Sequence, residues 1–285
     1  MASRREIYGL LYDAAHELYN DDCEARSIAE LIITECGGIT RNDLLVEPSA
    51  PLHIDNLDAI IADLRAWRPV QYIIGHTTFD DMTLNVSEGV LVPRPETEEL
   101  VRWVAAETPC NATILDVGTG SGCIAIALAR HIAGSRVWAI DKSPAALMQA
   151  RRNAERYAPA VEFIEGDALT DLSIVVPTKL DVIVSNPPYI PTSDRVAMRP
   201  NVTLHEPSEA LFVPDDDPLI FYRSIARNGR KMLTNGGKLY FEIYETLADD
   251  MSAMLRAEGY TDVTLRHDFL DKPRMICATM SSTVR

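Results

Sequence analysis

Between Thr113 and His131 the chain reads as a short apolar strand, Thr113-Ile114-Leu115-Asp116-Val117, and then a turn with glycine at every second position, Gly118-Thr119-Gly120-Ser121-Gly122. A helical stretch from Cys123 to His131 follows, apolar on nearly every face. A strand and a helix that both hide all their faces form a buried βα unit, because only a sheet covered on both sides dries out both elements. From Arg94 onward strands and helices alternate, which predicts an α/β fold with a mostly parallel sheet and right-handed crossovers. Further strands are expected at Arg136 to Asp141, Val161 to Ile164, Leu180 to Ser185 and Lys238 to Ile243. Helices are expected at about Thr97 to Ala106, Ser143 to Tyr157, Pro218 to Leu233 and Thr246 to Glu258. The last two strands, Val263 to Phe269 and Met275 to Met280, are joined only by Leu270 to Arg274. So short a link makes a hairpin, since a parallel crossover needs a dozen residues or more.

Glycines let a backbone pass close under a ligand, and the start of the following helix presents unpaired N–H groups. Sites for nucleotides, NAD and S-adenosylmethionine all use such a loop. Here the spacing is G-x-G-x-G, not the G-x-G-x-x-G of dinucleotide sites, and Asp116 precedes it by two positions. A pyrophosphate is repelled by that carboxylate, whereas an ammonium or sulfonium is not. The next strand ends on Asp141, where doubly wound sheets grip a ribose diol. The third runs into Glu165-Gly166-Asp167-Ala168, so Asp167 is placed to accept from an adenine amino group. Singly, each acid reads equally well as a solvated cap of a turn or helix.

Asn186-Pro187-Pro188-Tyr189 follows directly on the apolar run Leu180 to Ser185. A planar nitrogen, in an amide or an exocyclic amine, has its lone pair drawn into a neighbouring π system and is a poor nucleophile. A catalyst that methylates one has to hold and polarise it. The Asn186 side-chain oxygen and the Pro187 carbonyl suit the two hydrogens of one NH2 group. The prolines fix φ and carry no donors of their own, and Tyr189 offers a flat face for stacking on the target. The plain alternative is a proline-rich turn behind a strand.

Taken together, DVGTGSG, AIDKSP, EGDAL and SNPPYI resemble class I S-adenosylmethionine-dependent methyltransferases. Val92-Pro93-Arg94-Pro95-Glu96-Thr97-Glu98 and His205-Glu206-Pro207-Ser208-Glu209-Ala210-Leu211 resemble, more narrowly, the HemK-type (PrmC-like) protein-(glutamine-N5) methyltransferases that act on peptide chain release factors. The resemblance covers nearly the whole chain. It implies a Rossmann-like, seven-stranded sheet, S-adenosylmethionine as the methyl donor, S-adenosylhomocysteine as its product, and the glutamine of a Gly-Gly-Gln motif as the acceptor. By this resemblance Asn186, Pro187 and Tyr189 are the catalytic residues, and Asn186, Pro187, Pro188 and Tyr189 contact the substrate. Gly118, Thr119, Gly120, Ser121, Gly122, Asp141, Asp167, Ala168 and Asn186 contact the cofactor, with no metal. The chain departs from the family at Tyr244, where a glycine is usual, and at His205, where a phenylalanine is often found. Arg94, Glu96 and Glu98 either shape the entrance to the site or pair with one another at a helix start. His205 and Glu206 are candidates for the substrate mouth.

Ahead of Arg94 the pattern changes. Ile7, Leu10, Leu11, Ala14, Ala15 and Leu18 stripe one face of a helix. A second helix is expected from Asp22 to Gly37-Gly38, a third capped by Thr40, and a fourth striped by Leu57, Ile60, Ile61 and Leu64. From Gln71 to Leu91 the pattern turns β-like, with Tyr72, Ile73 and Ile74 and then Phe79, Leu84 and Val86 around Asp80-Asp81. The organisation expected is a helical substrate-recognition domain at 1–70, a β-hairpin linker at 71–92 and a methyltransferase domain at 93–285.

Charge bears on the substrate. The chain holds 27 Lys and Arg against 42 Asp and Glu, a net charge of −15, and its first 75 residues hold 6 basic against 13 acidic residues. DNA adenine-N6 methyltransferases carry the same tetrapeptide, but a DNA-binding accessory domain needs positive charge to meet phosphates. An acidic front end suits a protein partner with a basic surface, or simply aids solubility. An NAD-dependent oxidoreductase or a non-catalytic nucleotide-binding module leaves Asn186-Pro187-Pro188-Tyr189 unexplained, whereas methylation of a ribosomal-protein glutamine would use it equally well. No apolar run reaches the roughly 18 residues of a membrane span, and Met1 to Glu6 lack the apolar centre of a signal peptide. Five scattered cysteines and six dispersed histidines show no metal-ligand spacing. The expectation is a cytoplasmic monomer with reduced, mostly buried thiols.

Overall fold

The computed structural model describes residues 2–176 and 179–281. These fall into two compact units, one running to His76 and including Met198–His205, the other comprising Thr77–Ala197 and everything from Glu206 onward.

The first unit is helical: α1 (Arg4–Tyr19), α2 (Asp22–Gly37), α3 (Arg41–Val46), α4 (Leu57–Arg65) and α5 (Val70–Ile74). The ends are set by local chemistry. The Ser3 hydroxyl accepts from the Glu6 amide while the Glu6 carboxylate accepts from the Ser3 amide, and Thr40 and Asp43 repeat that box on α3. Asp21 caps α2, and Gly38 closes it in the left-handed conformation. Ile7, Leu11, Ala14 and Ala15 of α1 pack on Ala25, Ala29, Ile32 and Ile33 of α2 and on Leu64 of α4. Leu10, expected in the stripe, lies at its edge and is 51% exposed. Tyr72, Ile73 and Ile74 are helical and not the β-strand expected of them. Three apolar residues cannot by themselves set a period, and Gly75, at φ +82°, stops the turn as a helix cap.

Starting at the boundary residue His76, β1 (His76–Phe79) and β2 (Met82–Asn85) form a hairpin much shorter than the 71–92 stretch expected. Its two-residue turn, Asp80-Asp81, has φ of 47° and 59°, the left-handed pair that a tight hairpin requires. There follow α6 (Pro95–Glu107), β3 (Thr113–Val117), α7 (Cys123–His131), β4 (Arg136–Asp141), α8 (Pro144–Tyr157), β5 (Glu162–Glu165), β6 (Leu180–Ser185) and β7 (Ile190–Pro191). After α9 (Pro200–Thr203), which belongs to the first unit, come β8 (Phe212–Val213), α10 (Ile220–Met232), β9 (Leu233–Glu242), α11 (Ala248–Ala257), β10 (Tyr260–His267) and β11 (Pro273–Met280). The main sheet has seven strands in the order β10-β11-β9-β6-β3-β4-β5. Strands β9, β6, β3, β4 and β5 are parallel, and β11 runs antiparallel between β9 and β10. Successive residues of a strand serve opposite faces. Ile114, Val137, Val182 and Tyr240 pack under α6, α7 and α8, while Leu115, Ile140, Ile183 and Leu239 pack under α10 and α11.

Among the described residues no helix is long and apolar enough to cross a membrane. The cysteines are free, but only Cys123 and Cys277 are buried. Cys23, in the first turn of α2, and Cys110, in the loop after α6, are exposed, so the expectation of mostly buried thiols does not hold.

Candidate active site

Strand order reverses at β3, which pairs with β4 on one side and β6 on the other. Crevices form at such a point, outside the carboxyl ends of the strands. Here the crevice is a cavity of about 480 Å³ lined by the β3–α7 turn, the ends of β4 and β6, Gly166 to Ala168, and residues from Gly89 to Thr97. That volume suits a small organic ligand.

The turn is built for close approach. Gly118, Gly120 and Gly122 have φ of +75°, +55° and +84°, where a side chain is strained. A Cβ on Gly122 would also lie 3.1 Å from Ala150 Cβ and 3.3 Å from its Cα, so this glycine lets α7 sit against α8. The Gly118 and Thr119 amides donate to the Ile140 carbonyl, tying the turn to the end of β4. Asp141 accepts from the Gly120 amide on one carboxylate oxygen and from the Ser143 amide on the other, both at 2.9 Å. Each oxygen keeps a lone pair for a ligand hydroxyl. The Asp167 carboxylate accepts from the Leu169 amide and lines the cavity beside Ala168. Asp116 is wholly buried beneath the turn, with one oxygen 2.6 Å from the Thr119 hydroxyl. Burial pushes its carboxyl up to about 7, against the pull of that hydrogen bond.

Asn186, Pro187 and Pro188 also line the cavity, where β6 ends beside β3. The Asn186 side-chain nitrogen donates to the Thr97 hydroxyl at 3.2 Å, and that hydroxyl donates to Glu242 at 2.6 Å. Among the described residues nothing donates to the Asn186 side-chain oxygen or to the Pro187 carbonyl. Glu242 is 1% exposed, and burial raises its pKa. Tyr189 lies apart from the other three. Its hydroxyl donates to Glu242 at 3.1 Å, and its ring stacks on Tyr244, with centroids 5.9 Å apart at 21°. It is not among the residues lining the cavity, and one face of its ring is covered by Tyr244. Tyr244 in turn donates to Asp194, a bond that pushes its hydroxyl up to about 12.

The cavity's two cationic side chains are already neutralised. Arg94 pairs at 2.6 Å with Glu206, which is 4% exposed, and Lys142 pairs at 2.8 Å with Glu209. Asp141 and Asp167 have no cationic partner among the described residues. The lining therefore favours a ligand that is cationic and rich in hydroxyls over a pyrophosphate. Of the two readings of the segment around Arg94, the structure puts Arg94 at the cavity wall, while Glu98 pairs with Arg102. The His205 ring nitrogen Nε2 lies 2.8 Å from the Ala66 carbonyl, within the first unit.

Comparison with known proteins settles the family. A methyltransferase domain model matches residues 114–203, and a PrmC N-terminal domain model matches residues 10–75. A release factor glutamine methyltransferase of Bacteroides thetaiotaomicron is 41% identical over 258 residues, covering 90% of this chain and 92% of that protein. The chain belongs to the release factor glutamine methyltransferase family. Its counterpart in Flavobacterium psychrophilum is 38% identical over 90% of this chain and 92% of that one. A crystal structure of a methyltransferase from Pyrococcus furiosus, 16% identical, superposes with a TM-score of 0.52 over 72% of this chain and 92% of that one, a likeness of fold.

Two residues of this release factor glutamine methyltransferase family member were missed as site residues. Thr97 lies within the family-like segment Val92 to Glu98, and Glu242 near the end of the strand expected from Lys238 to Ile243, and the sequence assigns neither a task. A signal for Glu242 was present, since it closes an apolar strand at the same sheet edge as Asp141.

Proposed function

We propose that this chain transfers the methyl group of S-adenosylmethionine to the side-chain amide nitrogen of the glutamine in the Gly-Gly-Gln motif of peptide chain release factors. Family membership supports the reaction. The observation that carries the chemistry is a pair of oxygens, Asn186 Oδ1 and the Pro187 carbonyl, that take no donor among the described residues and lie in the segment that leaves β6 next to the glycine turn of β3 and lines the cavity.

The lining fits the donor. Asp141 holds spare lone pairs for the ribose hydroxyls, Asp167 suits the adenine amino group, and the unpaired carboxylates suit a cation. When bound, that donor supplies a methyl carbon on a sulfonium, already electrophilic, so the protein's task is alignment. Gly118 to Gly122 bring the backbone under it. Asn186 and Pro187 accept the two amide hydrogens of the glutamine, which fixes the plane of the amide and turns its nitrogen toward the methyl carbon. The same two bonds favour the nitrogen as it gains positive charge, so they strengthen toward the transition state. Tyr189 acts behind this wall, as a donor to Glu242.

The acidic front end supports a protein substrate over DNA. The test is mass spectrometry of a purified release factor after incubation with the enzyme and isotopically labelled S-adenosylmethionine. One labelled methyl on the Gly-Gly-Gln glutamine is the expected result. Label found only on a ribosomal-protein glutamine, or only on adenine in added DNA, overturns the reading.

A further inference from the structure

Asn186 has a side chain whose two ends look alike in size and opposite in chemistry. The reaction proposed for it needs the oxygen, and only the oxygen, facing the cavity. With the amide turned over, an NH2 group would meet the NH2 group of the incoming glutamine, donor against donor. Nothing within Asn186 itself decides between the two orientations.

A neighbour does. Glu242 is buried at the end of β9 and accepts two hydroxyl donors, Thr97 at 2.6 Å and Tyr189 at 3.1 Å. A threonine hydroxyl has one hydrogen and two lone pairs. Once that hydrogen is committed to Glu242, the Thr97 oxygen can act toward Asn186 only as an acceptor, so it selects the NH2 end at 3.2 Å. The oxygen end is left pointing the other way. Thr97 is itself 1% exposed and sits in the first turn of α6, with its amide bonded to the Arg94 carbonyl, so the hydroxyl has little freedom to swing.

We infer that Thr97, held by Glu242, is a positioning residue that sets the orientation of the Asn186 amide and so makes the site competent for an NH2-bearing substrate. The inference rests on the role proposed above for Asn186. It also gives the segment around Thr97 a task at a tetrapeptide far along the chain, since Thr97 and Asn186 are 89 residues apart.

The test is a double-mutant cycle on the full chain with a release factor substrate. Thr97→Val keeps the shape of the side chain and removes the hydroxyl, whereas Thr97→Ser keeps the hydroxyl. Thr97→Val should lower kcat by about 100-fold, the scale of a misplaced reacting group, and leave KM for S-adenosylmethionine within about two-fold. Thr97→Ser should restore kcat to within about three-fold of the parent, because the hydroxyl relay survives. In an Asn186→Ala background, Thr97→Val should cost less than about two-fold further, since there is no amide left to orient. A merely structural threonine would give losses that multiply, and that outcome overturns the inference. Full turnover in Thr97→Val does the same. If Asn186→Ala alone keeps full turnover, the Asn186 reading itself has failed and the relay falls with it.

A second measurement does not depend on any variant of Thr97 folding. In a ¹⁵N-edited spectrum of the parent enzyme with S-adenosylhomocysteine bound, the Asn186 side-chain amide, identified by its loss in Asn186→Ala, should show a nuclear Overhauser contact to the Thr97 methyl. An Asn186 amide with no such contact overturns the inference even if every variant is unstable.

Discussion

Replacing Asn186 by Ala removes one of two acceptors and leaves the cavity otherwise intact. By analogy with single polar groups in preorganised sites, kcat/KM for the release factor should fall by about 2–4 kcal/mol of transition-state stabilisation, measured by steady-state kinetics. Tyr189→Phe should act differently. Its hydroxyl faces buried Glu242, so the loss should be mainly of stability, about 1–3 kcal/mol in denaturant unfolding, with a smaller effect on kcat. Asp116 gives a pH signature. Its carboxyl is pushed up by burial to about 7, against 3.8 for the free group. The folded state therefore binds the extra proton between those values. This stability is complete below about pH 4, is lost as pH rises toward 7, and changes little above. Asp116→Asn keeps an acceptor for Thr119 and cannot ionise, so its melting temperature relative to the parent should climb between pH 5 and pH 8. A constant difference across that range contradicts the assignment. At this scale the sequence exposed the glycines, Asp141, Asp167 and the tetrapeptide, because each belongs to a contiguous motif. Thr97 and Glu242 stayed hidden because their bond joins positions 145 apart, and no local pattern announces a pairing made by the fold.

Elements that carry their own punctuation were readable. Asp21, Thr40 and Gly38 mark helix ends by chemistry that acts within three or four residues, and α7 follows its glycine turn as expected. The stretch Tyr72 to Ile74 misled because a single helical turn and a short strand share the same three apolar residues, and the deciding Gly75 also suits a β-turn. The β3–α7 turn is where an element-scale change should matter most. Gly122→Ala forces a side chain into φ +84° and against Ala150 on α8. It should lower stability by at least about 1 kcal/mol and weaken S-adenosylhomocysteine binding in calorimetry. An alanine variant with unchanged melting temperature and affinity would mean that the turn is more forgiving than its geometry implies.

Across the whole molecule, the mostly parallel sheet followed from the alternation of strands and helices, and its closing hairpin from one link too short for a crossover, while the seven-stranded topology was implied by the family resemblance. The discontinuous first unit did not: nothing in the composition of Met198–His205 shows that it belongs with the helices before His76. Charge is the property that acts at this scale. With −15 overall and an acidic front end, attraction to a basic protein surface should be screened by salt. KM for the release factor should therefore rise several-fold between about 50 and 300 mM NaCl while kcat holds, and duplex DNA should show no binding at the low-salt end. The central claim is that two protein oxygens hold the glutamine amide in line with the methyl donor. A crystal structure of this chain with S-adenosylhomocysteine and a release factor tests it most directly. The glutamine side-chain nitrogen should lie about 2.9 Å from both Asn186 Oδ1 and the Pro187 carbonyl, with the cofactor sulfur on its open side. A glutamine amide held by other groups, or a sulfur on the far side of the glycine turn from Asn186, contradicts it.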